Sequence, residues 1–328
     1  MQAILPIKGS MSESISVVVP VYGCDVCLYE LHRRLTVVLN ELVPDYEIIL
    51  VDDGSPDSAW KTIAALCAED SRVVGIDLSR NFGQHNAISA GLRMARGSLI
   101  VVMDCDLQND PADIPAFFAK IQEGYDSVFG RREVRHDTWM KKTTSRLFYR
   151  VLGYLTDSRL DETVANFGMY RASVIQAVNA MGDRILFFPL MVQWVGFRAT
   201  GMEVHHSGRA EGRSSYTWMR LFQLAGNVAI TFSNKPLMLM VNAGFAVSGL
   251  AALYAISILV RALHGDVAIM GWSSVITSIW FFGGVQMIVV GVVGLYVGKI
   301  FDASKNRPLY IIRETLNTGD KLAGRGEP

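Results

Sequence analysis

Short apolar runs alternate with amphipathic stretches along the first 130 residues, and two long uncharged stretches follow after residue 236. Ile15–Val21, Tyr46–Val51, Val73–Asp77, Leu99–Met103 and Ser127–Gly130 read as strands buried on both faces. Between them, Leu28–Leu42 places Leu28, Leu31, Leu35, Val38, Leu39 and Leu42 on one helical stripe. Further helices are predicted from the cap Ser58 to about Asp70, over Gln84–Ala95, and over Pro111–Glu123. Such an alternation predicts an α/β domain with a mostly parallel, three-layer sheet and right-handed crossovers.

The pattern changes at the other end. Leu237–Val260 and Val267–Gly298 carry no charged residue. Each is long enough to cross a hydrocarbon core of about 30 Å as a helix. They predict a transmembrane hairpin turning at 261–266, with Gly283, Gly284, Gly291, Gly294 and Gly298 as surfaces for close helix packing. Lys235 before the first span, and Lys299, Lys305, Arg307 and Arg313 after the second, place both ends in the cytoplasm. Tyr216–Ser233 has the apolar content of an interfacial helix. The expected organisation is an extension at 1–14, a cytoplasmic catalytic domain at 15–210 and an interfacial helix at 211–235. A hairpin at 236–300 (spans near 237–262 and 269–298) and a cytoplasmic tail at 301–328, polar and loose beyond Thr315, complete it.

Composition adds exclusions. The 328 residues carry zero formal net charge, which argues against nucleic-acid binding through an overall field. Four cysteines, Cys24, Cys27, Cys67 and Cys105, have no disulfide-framework spacing and fit a reducing compartment. Cys24-Asp25-Val26-Cys27 reads as a strand-to-helix turn, with zinc or redox chemistry as the lesser alternative. No apolar signal-peptide core is found in residues 1–14, so the first domain is expected to stay in the cytosol.

The candidate chemistry lies at strand ends, where open α/β sheets bind ligands. Asp104 and Asp106 follow the fourth strand, and an extended chain would point both the same way, with Gln108 next in the alternation. Two carboxylates and an amide oxygen suit Mg²⁺ or Mn²⁺, shared with a diphosphate. Asp52 and Asp53 close the second strand. They are either hydrogen-bond acceptors for a base or ribose, or turn formers. Asn81–Asn86, including Gln84, either lines a donor pocket or is a capped polar loop. Arg131, Arg132, Arg135, Lys141, Lys142, Arg146 and Arg150, interleaved with aromatic residues, form a basic amphipathic segment suited to a membrane surface or a phosphate.

Val17–Tyr22, Val51–Asp57, Asn81–Gln84, Met103–Gln108 and Arg209–Tyr216, with Asn306–Tyr310 behind the hairpin, resemble the family-2 glycosyltransferases of GT-A fold. The closer resemblance is to the polyprenyl-phosphate branch, which includes dolichol-phosphate mannose synthases and bacterial undecaprenyl-phosphate sugar transferases. It covers nearly the whole chain, and the order and spacing of the motifs carry it. The resemblance implies metal ligation by Asp104, Asp106 and Gln108, and nucleotide binding by Pro20, Tyr22, Asp52, Asp53 and Gln84. It places Arg131, Arg132, Lys142, Ser145, Arg209, Arg213 and Ser214 on the acceptor phosphate, and implies catalytic roles for Asp104, Asp106, Arg132 and Arg209. Gly23 stands where the family usually has Asn, and Ser215 where it often has Lys.

The implied activity is a metal-dependent, inverting transfer from a nucleotide sugar, UDP-sugars favoured, to a polyprenyl phosphate. It would take place at the cytoplasmic face of the inner membrane, by a multi-pass homo-oligomer. The alternatives are a polysaccharide-extending membrane glycosyltransferase, whose usual Q-x-x-R-W signature Gln193-Trp194 lacks, and an inactive membrane-anchored partner protein.

Overall fold

A computed structural model describes residues 13–132, 164–181, 188–204, 235–264, 271–305 and 307–318. The strands are β1 (Ser14–Val21), β2 (Asp45–Asp52), β3 (Val73–Leu78), β4 (Leu99–Val102), β5 (Ser127–Arg132), β6 (Val164–Arg171), β7 (Ala199–Val204) and β8 (Ile312–Leu316). The helices are α1 (Leu28–Leu42), α2 (Ala59–Glu69), α3 (Gln84–Met94), α4 (Ile114–Gln122), α5 (Ala172–Ala180), α6 (Phe188–Trp194), α7 (Lys235–Leu263) and α8 (Trp272–Ser304). The strands form one sheet in the order β7-β5-β6-β4-β1-β2-β3-β8. Its centre, β3-β2-β1-β4, is parallel, as are β5 and β7; β6 and β8 run antiparallel to their neighbours.

Both sheet faces are covered, which is why the central strands are apolar almost throughout. Val17, Val19, Ile48, Leu50 and Val101 pack on one side with Leu31, Leu35, Ile63 and Phe117 of α1, α2 and α4. Val18, Ile49, Val51, Ile76 and Val102 pack on the other with Ile88, Val174 and Met191 of α3, α5 and α6. Pro20 fits inside β1 because its backbone side faces β4 beyond the end of that ladder, which closes at Val18↔Val102 with Met103 N donating to Val18 O.

Several expectations need correction. The helix expected over Pro111–Glu123 begins as a 3₁₀ turn, Pro111–Asp113, and turns α-helical at Ile114. The tail beyond Thr315 is not loose at once, since Leu316 and Asn317 are still tied to the sheet. β8 pairs with β3, Arg313 bonds the buried Asp77 at 3.1 Å, and the Asn317 amide donates to Cys67 O and Val73 O at 2.6 and 2.9 Å. The described parts of both expected spans are helical, as α7 and α8. Among the described residues, however, one helical segment, Ser278–Asp302, is long and apolar enough to cross a membrane, and Leu237–Val247 is a shorter apolar stretch. The two-span, multi-pass expectation is therefore met by composition in one helix only. The α/β strands, β8 included, belong to one compact unit, and α7 and α8 belong to a second.

Candidate active site

Strand order locates the site. The chain builds β1, β2 and β3 in one direction, then crosses to place β4 on the other flank of β1. The crevice beyond the carboxyl ends of β1 and β4 is thus a topological switch point. Pro20 and Tyr22 end β1, and Asp104 to Gln108 follow β4. Pro20 is buried, whereas Tyr22 is 55% exposed at the mouth.

The carboxylate pair is presented by a bend, not by an extended strand as the alternation implied. β4 ends at Val102, Leu107 has φ 59°, and Gln108 N donates back to Asp106 Oδ1 at 3.1 Å. Asp104, Asp106 and Gln108 are all half-buried. Asp110 then caps the following turn, accepting from Ala112 N at 3.0 Å.

The loop after β2 is laced to its neighbours. Asp52 Oδ1 accepts from Ser55 N at 3.2 Å, Ser55 Oγ accepts from Gly23 N at 3.2 Å, and Asp57 accepts from Asp25 N at 3.1 Å. Gly54, at φ 67°, lies so close to Arg80 and Asn81 that a Cβ there would come within 2.6 Å of a backbone carbon. Asp53 is 2% exposed, and its two oxygens accept from Phe82 N at 2.7 Å and Gly83 N at 2.9 Å. Burial pushes its pKa above the ordinary carboxylate value, and the two N–H bonds pull it partly back. Gln84, first residue of α3, donates from Nε2 to Asp104 Oδ1 at 2.6 Å. The structure thus joins three of the expected site residues, Asp53, Gln84 and Asp104, through the backbone of residues 82 and 83.

Arg131 and Arg132 end β5, which runs in the same sense as β4, so they leave the sheet on the edge that carries Asp104. Arg131 is exposed. Lys142, Ser145, Arg209, Arg213 and Ser214 lie outside the described residues.

Two features were not foreseen. The Cys24 thiol donates to Cys105 O at 3.3 Å, tying the β1 loop to the carboxylate bend. The residues were visible in the sequence, but their partnership is a long-range contact without a local signal. The four cysteines are free thiols. The contact with Cys105, then burial, raises the Cys24 thiol well above its ordinary range, and burial pushes Cys27 up to about 11. Thiols held protonated are poor nucleophiles and poor metal ligands, which favours the turn reading of Cys24–Cys27.

The second is His85, whose burial lowers its imidazole from 6.5 to about 4. An unfolded chain takes up that proton first, so stability is unaffected above pH 6.5 and falls as the pH drops from 6.5 to about 4. His85→Gln is expected to flatten this acid-side slope, measured as Tm at pH 7 and pH 5. Equal losses of Tm in both proteins would contradict it.

Among the described residues no three His, Cys, Asp or Glu side chains form a metal cage on their own. The donor set nevertheless fits Mg²⁺ or Mn²⁺. Such ions take hard oxygen ligands, keep several waters, and are commonly held by one or two carboxylates plus substrate phosphates.

A mostly parallel α/β sheet with carboxylates at its switch point is the architecture of a ligand-binding α/β fold. The chain belongs to the glycosyl transferase family 2, whose profile matches residues 16–182, and it is a glycosyltransferase. It is 36% identical to the uncharacterized glycosyltransferase YkcC of Bacillus subtilis (strain 168), over 95% of this chain and 97% of the relative. It is 34% identical to an undecaprenyl-phosphate 4-deoxy-4-formamido-L-arabinose transferase of Shewanella sediminis (strain HAW-EB3), over 92% of each chain. Among solved structures it is similar to glucosyl-3-phosphoglycerate synthase from Mycobacterium tuberculosis in complex with Mn²⁺ and UDP-glucose. That similarity has a TM-score of 0.45 and 15% identity, and covers 67% of this chain and 77% of the other.

Proposed function

We propose that the enzyme transfers a sugar from a nucleotide-sugar donor to a polyprenyl phosphate, such as undecaprenyl phosphate, at the cytoplasmic face of the membrane. One observation carries this reading. The match to the Shewanella transferase spans 92% of both chains, catalytic unit and apolar helix alike. An acceptor of this kind stays in the bilayer, so its enzyme must reach a lipid surface. Along Ser278–Asp302 the helix exposes Trp280, Phe281, Met287 and Ile288, an apolar surface suited to lipid.

Sheet pairing bears on topology. β8 follows α8 in the chain, yet it pairs with β3, which precedes α7. Strands on opposite sides of a bilayer cannot pair, so the number of crossings is even. If α8 crosses, a second crossing between β3 and β8 is required, and the apolar stretch Leu237–Val247 of α7 supports α7 as the partner span.

The acceptor brings its own nucleophile. A prenyl phosphate is anionic near neutral pH, so the site must position it and shield it from the donor diphosphate more than it must deprotonate it. Asp104, Asp106 and Gln108 would hold Mg²⁺ or Mn²⁺, which when bound neutralises the departing nucleotide diphosphate. Pro20, Tyr22, Asp52 and Asp53 form the nucleotide side. The family resemblance assigns the acceptor phosphate to Arg131, Arg132, Lys142, Ser145, Arg209, Arg213 and Ser214, of which Arg131 and Arg132 are among the described residues. Direct attack at the anomeric carbon inverts its configuration, and no carboxylate is assigned as a base.

The test uses the full-length chain in detergent with undecaprenyl phosphate and a panel of labelled UDP-, GDP- and dTDP-sugars. A UDP-sugar is expected to give an organic-extractable product, with EDTA stopping transfer and Mg²⁺ or Mn²⁺ restoring it. Labelling only of water-soluble glycans would overturn the acceptor, and EDTA-insensitive transfer would overturn the metal.

A further inference from the structure

The geometry points to Gln84 as a positioning residue for the metal-holding carboxylate, its side-chain amide fixing Asp104 for the divalent ion. The inference rests on the reading of Asp104 as a metal ligand. It differs from the nucleotide contact expected for Gln84 from the sequence.

The argument begins at Asp53. A buried carboxylate whose two oxygens accept from two consecutive backbone N–H groups fixes the direction of the chain through residues 82 and 83. Gly83, at φ 96°, makes a turn that a side chain would strain, and Gln84 enters α3 immediately after it. The same turn is closed from the helix side: Asn86 N donates to Gly83 O at 2.9 Å, and the Asn86 amide donates to Phe82 O at 2.7 Å. The backbone that carries Gln84 is therefore held from β2 and from α3.

From that base the Gln84 amide reaches twenty positions along the chain to Asp104 Oδ1, at 2.6 Å. Asp104 sits on a bend past the end of β4. A hydrogen bond to one oxygen limits rotation of the carboxylate. Ligating carboxylates are commonly held in this way, and loss of such a partner typically costs about 10–100-fold in metal affinity. A direct nucleotide contact would act otherwise, by weakening donor binding when metal is saturating.

The experiment measures Mn²⁺ binding to the full-length chain in detergent with saturating UDP, from the electron paramagnetic resonance signal of free Mn²⁺. Wild type is compared with Gln84→Met, Gln84→Ala and Asp104→Asn. Gln84→Met keeps the length and helix propensity of the side chain but removes the donor. Both Gln84 variants are expected to raise the Mn²⁺ Kd about 10–100-fold, with the donor KM at saturating Mn²⁺ within about threefold of wild type. Asp104→Asn is expected to lose Mn²⁺ binding. If it does, and the Gln84 variants bind Mn²⁺ like wild type, the positioning role is overturned and the metal reading stands. A raised donor KM with unchanged Mn²⁺ affinity would return Gln84 to the nucleotide. If Asp104→Asn binds Mn²⁺ like wild type, the metal reading fails and this inference falls with it.

Discussion

Asp104→Asn and Asp106→Asn are each expected to lower sugar transfer by about 10²–10³-fold while leaving Tm within about 2 °C of wild type. The loss follows from charge. If these carboxylates hold the ion against the diphosphate, an amide keeps an oxygen in place but removes the negative charge that binds a hard cation. The fold is spared for the same geometric reason. Both residues are half-buried on a bend beyond β4, outside the ladder. The Asp106 oxygen that accepts from Gln108 N can be replaced by an asparagine oxygen. Initial rates at saturating donor and a thermal melt of the same preparation check both halves. Wild-type rates in both variants would remove the pair from the site.

Removing β8, by ending the chain at Arg307, is expected to destabilise the α/β unit by on the order of 3–5 kcal/mol, seen as a lower Tm and aggregation on heating. β3 is buried along its whole length, and without β8 it becomes an open edge with unpaired backbone groups. Asp77, 2% exposed, loses the Arg313 guanidinium. Ser79 N loses Ile311 O, and the Cys67 and Val73 carbonyls lose the Asn317 amide. Arg313→Ala isolates one part of this and should cost less, about 1–3 kcal/mol, because Arg313 itself is well exposed and partly screened. The loss also bears on the site, since Ser79 leads directly into the turn that carries Gln84. An unchanged Tm in the truncated chain would show that β8 rests on the sheet without supporting it.

The parallel core was legible because burial on both faces leaves little choice of residue. Ile15–Val21, Tyr46–Val51 and Val73–Asp77 lie within a residue of the observed β1, β2 and β3, and Leu28–Leu42 is α1 to the residue. The antiparallel elements were not legible. β8, Ile-Arg-Glu-Thr-Leu, is half-exposed at a sheet edge, so it lacks an apolar run, and its partner lies more than 200 positions upstream. β6 is likewise defined by long-range pairing with β4 and β5.

At the site, residue types showed where carboxylates gather but not what each one touches. Asp52 and Asp53 were adjacent acids of equal standing in the sequence. In the fold one closes its own turn, and the other grips the backbone of a different loop. Asp104 and Asp106 were paired through an assumed extended chain, whereas the left-handed Leu107 shows that a bend presents them. The bond from Gln84 to Asp104 joins two loops that periodicity treats as unrelated.

The central claim is that the acceptor's own phosphate is the nucleophile. It is tested by offering the full-length enzyme undecaprenyl phosphate and undecaprenol side by side, with the same labelled UDP-sugar and Mn²⁺. Label entering the organic phase with the phosphate and not with the alcohol is the predicted result. Equal labelling of the alcohol, or none of either lipid by a preparation that glycosylates a soluble acceptor, would contradict it.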